Sequence, residues 1–155
     1  MGKIASFMVD HDRLKPGLYV SRVDGDCVTY DVRMKKPNSG DYIYPAAIHT
    51  IEHILATKLR GSSIGQRVIY VGPMGCRTGM YVIVRKATNM EVLQTLKWAF
   101  AEMMNATEIP GSTSKECGNY LEHDLKEAKK EAFYYVSVLE RCNEDTFNYP
   151  DGGKA

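Results

Sequence analysis

The segment from Pro45 to Gly61, PAAIHTIEHILATKLRG, constrains the fold more than any other stretch of the chain. Proline fixes φ at a value that suits a first helical turn, and glycine is a natural residue just past a helix end. The segment therefore reads as a helix of about four turns. Its neighbours must supply a sheet or further helices to cover it.

Leu18 to Val23 and Cys27 to Met34 flank Asp24-Gly25-Asp26, a turn-forming cluster between runs rich in β-branched and aromatic residues, which predicts a hairpin. In the second run Val28, Tyr30, Val32 and Met34 alternate with Thr29, Asp31 and Arg33, so one face is apolar and the other polar. Val68 to Val71 and Met80 to Val84 are two more β-rich runs, separated by the tight loop GPMGCRTG. Thr88 to Glu91 has capping-box spacing ahead of a helix whose inward stripe is Val92, Leu96, Ala99 and Met103. Thr107 to Gly118 reads as a linker. A last helix is expected from about Asn119 to Leu139, with Leu121, Leu125, Ala128, Ala132 and Leu139 inward. The order of elements predicts an α+β domain whose mostly antiparallel sheet is packed against helices on one face. Residues 1–155 read as one domain, with a flexible tail from about residue 147.

At 155 residues such a domain can bury about two thirds of its unfolded surface, so it needs no covalent staples. Its 20 basic and 19 acidic side chains leave a net charge of +1, and no basic stripe interleaves with aromatics as a nucleic-acid surface requires. The run His123 to Glu131 mixes signs at helical spacing and reads as a solvated face. No apolar run approaches the ~18 residues of a membrane span, and no secretory signal is evident, which predicts a cytoplasmic protein. There the four cysteines would be thiols, available as ligands or acids.

His49 and His53 lie one turn apart on the expected helix, so both imidazoles can reach a single ion. Glu52 stands roughly 60° around the helix from His49. The spacing is similar to the inverted zincin motif H-x-x-E-H, in which two histidines bind metal and the glutamate moves protons. His11 lies near the N-terminus and His123 in the charged helix, where a surface role is expected. Cys117, in a loop between Glu116 and Gly118, can complete a His2Cys set with one coordination position open, the mark of a catalytic metal.

SFMVDH from Ser6, YDVRMKKPN, HTIEH, GPMGCRTG, and KECGNY followed by HDL resemble the motifs of the S-ribosylhomocysteine lyases, the LuxS family, and occur in that family's order. The match runs from about Ser6 to Ala132. The resemblance implies a LuxS/MPP-like metalloenzyme architecture and a homodimer with two active sites at the subunit interface. Each site would hold one divalent ion, Fe(II) natively with Zn(II) or Co(II) as substitutes. The family cleaves S-ribosyl-L-homocysteine to L-homocysteine and 4,5-dihydroxy-2,3-pentanedione, the precursor of autoinducer-2, a reaction that serves the methyl cycle and quorum sensing.

Position by position, the resemblance implies that His49, His53 and Cys117 hold the metal and that Glu52 and Cys76 transfer protons. It places Ser6, His11 and Arg33 against the ribose and Arg60 at the homocysteine end. Arg60 lies about 16 Å along the helix from His49 in nearly the same direction, although an arginine is also favoured at any helix C-terminus. The chain departs from the family at Tyr70-Val71-Gly72, where many members have an aspartate before the turn; Tyr70 offers a hydroxyl or a packed strand aromatic instead. Two rivals remain. One is a metallopeptidase of the inverted zincin kind, and the other a structural His2Cys2 zinc module with Cys76 as fourth ligand.

Overall fold

The computed structural model describes residues 2–150. Strand β1 (Gly17–Asp24) turns through Gly25, at φ +61°, into β2 (Cys27–Arg33), and helix α1 (Pro45–Arg60) follows. Strands β3 (Val68–Pro73) and β4 (Gly79–Arg85) form a second hairpin, and helices α2 (Asn89–Met104) and α3 (Leu125–Glu140) complete the order. The four strands make one antiparallel sheet in the order β1-β2-β4-β3. The α+β class read from the sequence is the one observed.

Alternation decides the sheet's inner face. Tyr30 and Val32 of β2, Met80, Val82 and Val84 of β4, and Leu18 of β1 are buried with Ile51, Leu55, Leu93, Phe100 and Tyr135 from the helices in one core. The inward stripe expected on α2 is buried throughout, and the Thr88 hydroxyl and Glu91 carboxylate cap each other's backbone N–H groups as the sequence predicts.

The polar face of β2 is buried as well: Asp31 and Arg33 are 0% and 3% exposed. Two expectations need correction. Helix α3 starts at Leu125 rather than near Asn119, because the Asp124 carboxylate accepts from the Glu127 N–H and fixes the first turn there. Leu121 consequently lies outside the helix and is 80% exposed. Second, Phe147 and Tyr149, where the tail is expected to begin, are buried, and the Phe147 carbonyl accepts from the Val20 N–H at 2.8 Å. The rest of that expected tail, 151–155, lies outside the described residues.

The buried tyrosines set a pH limit on the fold. Burial, and secondarily the charge of Glu91, pushes Tyr30 up from 10.0 to about 12, while burial raises Tyr135, whose hydroxyl donates to the Gly17 carbonyl. An unfolded tyrosine releases its proton near 10 and a buried one keeps it, so deprotonation favours the unfolded chain. The stabilisation is whole below pH 10 and is lost as pH rises toward 12. Thermal melts followed by circular dichroism should show Tm falling steadily across that window, and Tyr30→Phe should flatten the decline.

Candidate metal centre and active site

Helix α1 buries Ile48, Ile51, Ile54 and Leu55, which leaves His49, Glu52 and His53 on its half-buried shoulder. The two imidazoles sit edge to face with centroids 4.8 Å apart. The connection between α2 and α3 folds back over this shoulder and supplies a carbonyl to each ring. Nδ1–H of His49 donates to the Glu122 carbonyl at 2.7 Å and Nδ1–H of His53 to the Pro110 carbonyl at 2.9 Å. Gly111, at φ +65°, turns the chain immediately after that second carbonyl. With Nδ1 engaged, each Nε2 keeps its lone pair, the tautomer a metal ligand requires.

Cys117 comes from the same connection, its Sγ 3.4 Å from His49 Nε2. His123, expected on a solvated helix face, is instead part of the group. Its ring stacks on His49 at 4.0 Å, its Nδ1 meets the Thr50 hydroxyl at 3.0 Å, and its Nε2 is 3.8 Å from Cys117 Sγ. The placement follows from Asp124, whose N–H donates to Thr50 Oγ1 and to the Ala46 carbonyl, clamping the residues before α3 onto α1. The Cys117-to-His123 spacing followed by an N-cap aspartate was the signal available in the sequence. Burial, and then the charges of His49 and His53, lower the His123 pKa, which keeps its imidazole neutral.

One ligand atom from each of His49, His53, Cys117 and His123 lies within 4.8 Å of the others. Imidazole nitrogens with one thiolate suit a borderline dication such as Zn(II) or Fe(II), and each histidine's second nitrogen is already held, so the residues fit one metal ion. Cys76 is not in this group. It is exposed on the β3–β4 turn, with Sγ 3.0 Å from Thr78 Oγ1, which removes the support for a His2Cys2 module.

Arg33, at the end of β2, is gripped by Asp31: Nε donates to Oδ1 at 3.0 Å and Nη2 to Oδ2 at 2.7 Å, while Nη1 donates to Thr78 Oγ1 at 2.8 Å. Burial opposes the guanidinium charge, but hydrogen bonding and attraction to Asp31 outweigh it, so the Arg33 pKa is raised. Glycine is required opposite Arg33, at Gly79, because a Cβ there would run into the Val32 carbonyl. Arg33 and Cys76 thus share Thr78 as a common neighbour.

The remaining sequence-derived residues are dispersed. Ser6 is half-buried in a short helical turn, Ala5–Phe7, and lines an open groove of about 300 Å³ with Tyr70 and Tyr81. Tyr70 is 50% exposed, with the hydroxyl end of its ring lying over Gly72 of the same strand. His11 is half-buried, with Nδ1 2.9 Å from the Val9 carbonyl. Arg60, at the end of α1, donates to the Val68 and Ile69 carbonyls. Among the described residues no helix is long and apolar enough to cross a membrane.

The family model described as S-ribosylhomocysteinase (LuxS) matches residues 4–145. The S-ribosylhomocysteine lyase of Borreliella afzelii is 45% identical over 157 residues, covering 97% of this chain and all of the relative. That of Desulfotalea psychrophila is 45% identical over 159 residues, and that of Clostridium acetobutylicum 40% identical over 158, each covering 97% of this chain.

Proposed function

Because the chain belongs to the S-ribosylhomocysteinase (LuxS) family, we propose that it is a metal-dependent carbon–sulfur lyase that cleaves S-ribosyl-L-homocysteine to L-homocysteine and 4,5-dihydroxy-2,3-pentanedione. The observation that carries this reading is the convergence of His49, His53 and Cys117, with both histidines held through Nδ1. These three residues would hold one divalent ion, Fe(II) in the cell and Zn(II) or Co(II) as substitutes. When bound, the ion supplies Lewis acidity without a change of oxidation state.

The work left to the protein is proton transfer. The open-chain sugar must move its carbonyl from C1 to C2 and then to C3. Each step shifts one hydrogen from the carbinol carbon to the former carbonyl carbon and one proton between the two oxygens. Elimination then removes the C4 proton and expels the homocysteine thiolate from C5. Glu52 and Cys76 are the carriers, the first on α1 beside the histidines and the second on the β3–β4 turn. Arg33, buried and fixed by Asp31, would set a positive charge at the ribose end of the site, with Ser6 and His11 as contacts. Arg60 keeps N–H groups beyond those used on β3 for the homocysteine carboxylate. The working form is a cytoplasmic homodimer with its sites at the interface, and its dione feeds autoinducer-2 formation.

The position of His123 favours one rival, a closed structural site of three histidines and one cysteine. Protein reconstituted anaerobically with Fe(II) should release thiol from S-ribosylhomocysteine, and a chelator should stop it. Cys76→Ala should keep fold and metal but lose release; His123→Ala should keep the metal. Absence of release by the wild type, or loss of metal from His123→Ala alone with activity never seen, would favour the structural reading.

A further inference from the structure

The Arg33 network continues past the site into the C-terminal segment. Tyr149 donates its hydroxyl to Asp31 Oδ2 at 2.7 Å, across 118 residues of sequence. It is 5% exposed and stacks on Tyr19 with centroids 5.1 Å apart. The Val20–Phe147 backbone bond pins the segment to β1 two residues earlier. Burial, and then the Asp31 charge, push the Tyr149 phenol well up, so it remains a donor. A continuous line of contacts therefore runs from Tyr149 to Asp31, Arg33, Thr78 and the exposed thiol of Cys76.

We propose that Tyr149 is a positioning residue for the Cys76 side of the site. Both Asp31 oxygens accept from Arg33, and Oδ2 takes the Tyr149 hydroxyl as well, so the carboxylate cannot rotate without breaking a buried bond. A fixed carboxylate fixes the guanidinium, and Nη1 is then aimed at Thr78 Oγ1. The Thr78 hydroxyl, already accepting from Arg33, is free to donate to Cys76 Sγ. Without the Tyr149 hydroxyl the carboxylate gains a second orientation, and the Arg33–Thr78–Cys76 arrangement is held only part of the time. The inference rests on the reading of Cys76 as a proton carrier, but its test does not depend wholly on it.

Tyr149→Phe keeps the ring stack and removes only the hydroxyl. In the full-length protein the rate of Cys76 alkylation by iodoacetamide at pH 7, followed by peptide mass mapping, should change at least threefold without metal or substrate. In metal-loaded protein kcat for thiol release should fall about tenfold with KM nearly unchanged, the signature of a displaced group rather than lost binding. Alkylation and kcat equal to wild type would overturn the proposal, as would losses that merely track the folded fraction in thermal melts. If the wild type released no thiol, the lyase reading would fail, and the alkylation rates alone would decide the role of Tyr149.

Discussion

Glu52→Gln is expected to lower thiol release by about 10²- to 10⁴-fold, the range that a positioned acid–base group supplies. The substitution keeps size and polarity and removes only the ability to take and return a proton. Glu52 is half-buried on α1, directly before His53, and among the described residues it has no hydrogen-bond or ion-pair partner. The fold therefore does not depend on its charge. Metal content by elemental analysis and Tm should match wild type while turnover disappears. A Glu52→Gln protein that keeps more than a tenth of wild-type kcat would remove Glu52 from the mechanism.

The second large effect concerns stability. Arg33→Met leaves the Asp31 carboxylate, 1% exposed, without its cation, and breaking a buried pair in this way costs about 3–5 kcal/mol. Denaturant unfolding should report a loss in that range together with loss of turnover. The double variant Arg33→Met, Asp31→Leu should recover at least half of the stability, because a matched apolar pair carries no stranded charge. It should recover none of the activity. Equal destabilisation in the single and double variants would mean that packing, not charge, dominates this position.

The elements that could be read from the sequence are those fixed by neighbouring residues. Pro45 and Gly61 bracket α1, and Thr88 with Glu91 starts α2, because each of these signals acts within one turn of the boundary it marks. The features that could not be read depend on residues far away. Asp31 and Arg33 alternate with apolar residues as a solvated strand face would, and what covers them includes Tyr149, 118 residues from Asp31. The place of His123 depends on distant residues for a related reason. Charges at helical spacing extend upstream of Leu125, and only the Asp124 cap and its grip on Thr50 show where the helix begins and that the preceding residues fold onto α1. His49, His53 and Cys117 were legible because i, i+4 spacing on a helix is local geometry, and a loop cysteine is one of few partners able to reach it.

Arg60 has a consequence beyond any substrate. An outer strand presents unpaired backbone groups that can recruit another chain, and β3 is one such strand. The Arg60 guanidinium occupies its Val68 and Ile69 carbonyls, and Pro73 removes a donor from its end, while Phe147 takes an N–H of β1 at the opposite rim. Lateral growth of the sheet is thereby discouraged on both sides, which guards the chain against strand-to-strand aggregation.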